Sequence, residues 1–307
     1  MFENLFAQRG LSLDRLKAFV EVDEAGGMAK AAVGDPVRQS QYSRQIKELE
    51  EYFGVELIRR KGKGIELTRV GKELATLVRE QFSGLSDFHL SCSGAPVRFS
   101  LGAGDSLLHW LLTPCLSQLQ AKMPQMGVRL HNMRSVDIIR ELHDLSIDFG
   151  IVREGVEGRL LEKRMIGSFD YAFYVPKSMV GRKRRVDIKE ILKQIPLATQ
   201  GSDGSFRQNL EGNALRKGVR LNIRLNCESF PQAYQALLSG GYAAVLPTFI
   251  DPFIDNKRTV RLEVDFMREQ RRTISLRWNK RLIRVRPLAE KVAIGLVRAL
   301  KSQLALH

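Results

Sequence analysis

The chain of 307 residues holds only three cysteines, Cys92, Cys115 and Cys227, none at CxxC spacing. Neither a disulfide framework nor a zinc site is therefore expected, and three buried thiols are the simplest reading. The five histidines, His89, His109, His131, His143 and His307, show no metal-ligand spacing, so no metal and no cofactor is expected. A G-x-S-x-G elbow and a phosphate-cradling loop are also missing, and the lone Gly102-x-Gly104 is too short a signal for a nucleotide fold. An enzyme has no foothold in such a sequence. Charged residues interrupt every apolar run well before the roughly 20 residues that a membrane span needs. Residues Met1 to Leu13 lack a basic segment leading into an apolar stretch. The expectation is a cytoplasmic protein that makes no membrane contact.

What is present is ordinary for a globular chain: 44% hydrophobic and 27% charged residues, in a length that suits two or three folded units. The net charge of +15 suits a polyanionic partner. Its distribution is uneven, however. Residues 1–75 carry thirteen Lys/Arg against twelve Asp/Glu, whereas the chain from Lys257 onward carries fourteen against four. DNA binding by the first segment must therefore rest on local clusters.

Those clusters sit in a recognisable frame. Ser12 is a good N-cap, and Leu13, Leu16, Phe19, Val20 and Val22 recur at helical spacing until Gly26-Gly27. Met28 to Val33 reads as a short second helix, with Ala31 and Ala32 small enough for close helix approach. Gly34-Asp35-Pro36 then forces a turn. A third helix is expected from Val37 or Arg38 to Gly54, with Ile46, Leu49 and Phe53 as its buried stripe. Its first half, Arg38, Gln39, Ser40, Gln41, Tyr42, Ser43, Arg44 and Gln45, contains no carboxylate, whereas Glu48, Glu50 and Glu51 follow further on. That composition suits entry into the major groove of double-stranded DNA, where Arg pairs with guanine and Gln with adenine. Beyond it, Leu57, Ile65 and Leu67 flank a glycine-broken basic tip containing Arg59, Arg60, Lys61 and Lys63. This reads as a two-stranded wing contacting phosphates or the minor groove. From Arg69 to Cys92, one apolar stripe is expected at Val70, Leu74, Leu77, Val78, Phe82 and Leu85.

These segments, LDRLKAFVEV, Ala31-Ala32 and SRQIKELEEYFGVELIRRKGKGIELTRVGKEL, together resemble the LysR-type family of transcriptional regulators. The family typically carries Ser-Gln-Pro-Ala-x-Ser at the start of its recognition helix. Here Gln39 and Ser43 match, while Arg38, Ser40 and Gln41 depart; Asp35 stands where Leu is usual and Gly27 where Ser is usual. The resemblance implies a winged helix-turn-helix over 1–68 and a linker helix over 69–92 that pairs two subunits antiparallel. A homodimer or homotetramer on a pseudo-palindromic site follows from it.

After a small, polar hinge at Ser91 to Pro96, strand and helix patterns alternate, which implies a parallel βαβ sheet. Order and pattern resemble the same family's effector domain, so the expected class is α/β: a winged helix-turn-helix, a linker helix and a two-lobed effector domain like periplasmic binding proteins. The implied effector domain spans 95–307, with lobe I at 95–166 and 260–307 and lobe II at 167–259. Small ligands bind such lobes outside the carboxyl ends of strands and at helix N-termini. By position the candidates are Asp105, Ser106, Arg134, Ser135, Thr199, Gln200, Gly201 and Ser202, with Arg207 adding a charge. Simple caps and an ordinary turn would explain several of them equally well. Two arginines suit an anionic effector, while Asp105 opposes a simple anion pocket.

Two readings attach to the basic segment Arg271, Arg272, Arg277, Lys280, Arg281, Arg284 and Arg286. Ser275, Arg277 and Asn279 alternate with Ile274, Leu276 and Trp278 as in an edge strand; extra contact with bent DNA is the other option. The expected function is a ligand-responsive, sequence-specific transcriptional regulator. The alternatives are a thiol-based redox regulator acting through Cys227 and a solute-binding receptor, whose export would leave the first ninety residues without a role.

Overall fold

Local signals start and stop the first helices. The Ser12 hydroxyl accepts from Arg15 N at 3.2 Å to cap helix Leu13–Ala25, and Gly26, at φ 69°, ends it. In the computed structural model, residues 3–61, 64–180, 188–201 and 205–305 are described. The chain divides into two compact units. The first comprises the chain up to Ala95 together with His143–Ser146 and Arg281–Pro287. The second comprises Pro96–Leu142, Ile147–Lys280 and the chain from Leu288.

Within the first unit, a short helix Met28–Ala31 leads to a turn in which Val33 and Gly34 take φ 51° and 81°. The next helix, Pro36–Phe53, begins one or two residues earlier than the expected start at Val37 or Arg38. Proline is well placed in a first turn, and the Asp35 carboxylate accepts from Val37 N at 2.9 Å and Arg38 N at 3.3 Å. Phe19, Val22, Ala32, Tyr42, Ile46, Leu49, Leu57 and Leu67 form the core. Phe53, expected there, is exposed instead, and Tyr42 takes its place on the buried stripe. The wing follows as β1 (Ile58–Lys61) and β2 (Gly64–Leu67), antiparallel with Ile58 opposite Leu67.

The long helix Arg69–Cys92 is capped by Thr68, whose hydroxyl accepts from Gly71 N at 3.0 Å. Gly71 packs so tightly that a Cβ there would lie 2.1 Å from the Leu57 carbonyl oxygen. The single stripe read from the sequence splits in two. Ala75, Val78 and Arg79 face inward, while Val70, Leu77, Leu85 and Phe88 stay exposed on another face. Arg79 is buried; it donates to Asp23 Oδ2 at 2.5 Å and to the Asp144 carbonyl at 3.3 Å. Further along, Arg286 donates to both carboxylate oxygens of Asp87, at 2.7 and 2.9 Å.

The second unit contains two five-stranded sheets. The first is built from β3 (Val97–Ala103), β4 (Met126–Asn132), β5 (Phe149–Arg153), β6 (Leu161–Phe169) and β12 (Arg272–Asn279), in the order β4-β3-β5-β12-β6. The second is built from β7 (Tyr171–Pro176), β8 (Leu197–Gln200), β9 (Ile223–Cys227), β10 (Ala243–Pro247) and β11 (Thr259–Leu262), in the order β11-β7-β10-β8-β9. Each has the parallel core expected from strand–helix alternation, with antiparallel strands added: β12 beside β5 and β6, and β7 beside β10 and β11. β6 keeps the chain in the first sheet to Phe169, and β11 keeps it in the second to Leu262. The lobe crossings therefore lie a few residues beyond the expected 166/167 and 259/260.

β12 is not an edge strand. It lies between β5 and β6, and its polar residues are buried but paired. Arg277 Nη1 donates to the Val156 carbonyl at 2.7 Å, and Asn279 Nδ2 to the Leu142 carbonyl at 3.1 Å. Alternating polarity marked solvent in the sequence; here internal carbonyls take that role. Burial also removes Arg277 and Arg286 from any contact with DNA.

Candidate nucleic-acid interface and effector site

Helical spacing sets which residues of Pro36–Phe53 look outward. Tyr42, Ile46 and Leu49 are buried, so Val37, Ser40, Gln41 and Arg44, at i, i+3, i+4 and i+7, form the opposite ridge. Arg38, Gln39 and Ser43 are also exposed, flanking that ridge, and Gln45 is half-buried. Tyr42, counted among the DNA-contacting residues on sequence grounds, is only 5% exposed. Its hydroxyl donates to Glu21 Oε2 at 2.7 Å, so it serves the core rather than a DNA surface. The Arg38 guanidinium lies 5.8 Å from the centre of its ring.

Arg44 is held ready by its neighbours. Its Nε donates to Glu48 Oε1 at 2.9 Å, while Arg15 Nε donates to Glu48 Oε2 at 2.5 Å. The hydrogen bond from Arg44, then that from Arg15, holds the Glu48 carboxyl below its usual range. The Ser40 hydroxyl donates to the Pro36 carbonyl at 2.9 Å, which leaves its oxygen as an acceptor toward DNA. Val37, absent from the sequence-based candidates, is 78% exposed at the N-terminal end of this ridge.

On the wing, Arg59, Arg60 and Lys61 lie on β1 and are exposed, so the tip is narrower than the sequence suggested; Lys63 lies outside the described residues. Arg59 and Lys61 share Glu66 across the ladder, at 3.5 and 3.2 Å, and Lys61 chiefly holds that carboxyl low. Arg60 points to the other face of the strand.

The effector candidates separate into engaged and open groups. Asp105 and Ser106 are half-buried in a helical turn after β3, which Gly104 starts without a side-chain cap bond. Arg134 is exposed after β4. Ser135 is buried, and its hydroxyl accepts from Arg153 N at 3.3 Å, which makes it a structural group. Gln200 Nε2 reaches the Glu228 carbonyl at 3.5 Å, and Gly201 N donates to the Cys227 carbonyl at 2.7 Å. Ser202 lies outside the described residues. Thr199 is fully buried, with a hydroxyl that has no hydrogen-bond partner among the described residues. It pairs in register with Asn226, so both side chains share one sheet face. Arg207 is buried and donates to Asn226 Oδ1 at 3.2 Å and Glu211 Oε1 at 3.1 Å, leaving its Nε unpartnered. Glu211 thus already offsets the charge that was expected to receive an anion.

Tyr171, Phe206 and Phe230 pack mutually, with ring centroids 4.6, 5.4 and 5.1 Å apart. Tyr171 is the first residue of lobe II after the crossing, and Phe169, the last of β6, lies 5.5 Å from its ring. No periodic pattern marks this cluster in the sequence, because its members come from β7 and two separate helices.

Cys115 and Cys227 are buried, while Cys92 is exposed, contrary to the expectation of three buried thiols. Burial pushes the Cys115 thiol up to about 11 and raises that of Cys227 as well. A reactive cysteine needs the opposite shift, which leaves the redox alternative without a favouring feature at Cys227. Among the described residues, no group of His, Cys, Asp and Glu could hold a metal ion, and no helix is long and apolar enough to cross a membrane.

Residues 13–72 match the family model described as bacterial regulatory helix-turn-helix protein, lysR family, and residues 94–293 match LysR substrate binding domain. The HTH-type transcriptional regulator TdcA of Escherichia coli is 23% identical over 247 residues, which is 79% of each chain. A full-length OxyR variant from Pseudomonas aeruginosa superposes with a TM-score of 0.64 at 15% identity, covering 96% of both chains. CbnR, a LysR family transcriptional regulator, superposes at 0.61 with 21% identity, over 95% of this chain and all of that one. CbnR in complex with its target DNA superposes at 0.58 with 22% identity, over 94% of this chain.

Proposed function

The chain belongs to the LysR family of DNA-binding transcriptional regulators, which carry an effector-binding domain, and from that premise we propose how its residues divide the work. Arg38, Gln39, Ser40, Gln41, Ser43, Arg44 and Gln45 meet base edges in the major groove of double-stranded DNA. Arg59, Arg60 and Lys61 contact phosphates. The observation that carries this reading is the exposed, carboxylate-free first half of a capped helix whose Arg44 is already oriented by Glu48. Phosphate contacts add salt-dependent affinity, whereas a bidentate arginine on guanine discriminates sequence.

Two copies pair through the exposed face of Arg69–Cys92. That face continues into an open apolar groove of about 350 Å³ lined by Phe53, Val55, Leu57, Val70, Glu73, Leu74 and Leu77. A small-molecule effector occupies the space between the two lobes. Arg207 is already matched by Glu211, so it does not by itself call for an anionic ligand.

The test is binding of the full-length protein to DNA from upstream of its own gene, against random DNA of equal length, across a salt series. A preference for the upstream DNA that survives at higher salt is expected. Arg44→Ala should lower that preference about 10- to 100-fold, the worth of one base contact. Arg60→Ala should weaken both DNAs alike and flatten the salt slope. Equal affinity for both DNAs, or no effect of Arg44→Ala, overturns the reading.

A further inference from the structure

Val37 is the only apolar side chain on the outward ridge it shares with Ser40, Gln41 and Arg44. At 78% exposure it packs against nothing that would account for a valine. Its backbone N–H receives the Asp35 cap, which any residue would allow, and a β-branched side chain has a lower helix propensity than alanine. Neither capping nor packing nor local propensity therefore explains it.

The surroundings indicate what kind of surface would cover it. Gln41 and Arg44 share the ridge with the valine, an amide and a cation, and the carboxylate nearest in sequence, Asp35, accepts from two backbone N–H groups. A polyanion suits that ridge better than an apolar protein surface does. Residues in the first turns of such a helix are those that reach base edges. On the major-groove edge only thymine presents an apolar group, its 5-methyl. Ser40, Gln41 and Arg44 are polar, which leaves Val37 to make the apolar contact on this ridge.

We propose that Val37 is a specificity-determining residue that selects thymine at one position in each half-site by packing against its 5-methyl group. This rests on the reading of Pro36–Phe53 as the base-contacting helix. It also assigns a role to a position where hydrogen-bonding rules alone would place no readout.

The experiment uses the full-length protein and the tightest duplex that the wild type recovers from a random pool. Each thymine of that duplex is replaced singly by deoxyuridine, which removes the methyl and preserves pairing. Deoxyuridine at one position per half-site should weaken wild-type binding about fourfold, the worth of one buried methyl group. Val37→Ala, a better helix former, should bind the thymine duplex about fourfold more weakly and no longer distinguish thymine from uracil at that position. Val37→Ile should retain the distinction. The proposal is overturned if Val37→Ala keeps the full wild-type uracil response, or if the wild type responds to uracil nowhere. A pool that yields no duplex, or a Val37→Ala defect equal on all DNAs, overturns it too. If no duplex is recovered, the DNA-reading premise has failed. If a duplex is recovered and Arg44→Ala loses it while Val37→Ala keeps the uracil response, only the thymine assignment has failed.

Discussion

Burial decides what each thiol of this chain can do. Cys115 donates to the Leu112 carbonyl at 3.1 Å inside the effector domain, and desolvation lifts its pKa to about 11. Cys227 is raised by the same cause, whereas Cys92 is exposed near the end of the long helix. At pH 8 Cys115 holds almost no thiolate, the form that reacts, and burial shifts Cys227 in the same direction. Native protein should therefore take up one equivalent of iodoacetamide, at Cys92, and three after denaturation, as read by mass spectrometry. Fast native labelling of Cys227 would reverse this ordering and restore a redox reading. At the same scale, composition identified the polar run Arg38 to Gln45 but not the orientation of its members. Tyr42 and Val37 exchange the roles that polarity alone would give them: the phenol is buried with Glu21, and the valine faces solvent.

Elements in this chain follow from neighbouring residues wherever caps and glycines set them. Ser12, Asp35 and Thr68 each start a helix by accepting backbone N–H bonds, and Gly26 and Gly54 end two of them in left-handed conformation. How elements are joined depends on side chains far apart in sequence. Arg79, on the long helix, holds Asp23 at the end of the first helix and lies 3.7 Å from Glu24. Replacing one partner of a largely buried ion pair leaves the other uncompensated. Arg79→Ala should lower the stability of the helix-turn-helix unit by about 2–3 kcal/mol, seen as a lower urea midpoint at unchanged slope. A change below about 0.5 kcal/mol would mean that solvent already screens the pair. No local pattern foretold this contact, because Arg79 reads in sequence as an ordinary charge on a solvated face.

At the scale of the whole molecule, the exposed apolar residues Val70, Leu77, Leu85 and Phe88 lack a cover, and in the pairing proposed above a second copy supplies one with the same pattern. Each side chain buried there contributes about 1.5–3 kcal/mol, and a two-fold interface counts it twice. Leu77→Asp with Leu85→Asp should raise the dimer dissociation constant more than a hundredfold in sedimentation velocity, and should weaken binding to two-half-site DNA accordingly. An unchanged sedimentation coefficient would assign that face to something else. The helix-turn-helix, the wing, the long helix and the α/β class of the effector domain are all written in local signals, because caps, glycine stops and hydrophobic period act over a few residues. Which face of each helix is buried, the place of β12 inside its sheet and the internal matching of Arg277 and Arg286 emerge only once distant segments meet. Periodicity fixes the angles between side chains on one element, but the identity of what packs against them comes from other segments, from about twenty to nearly two hundred residues away.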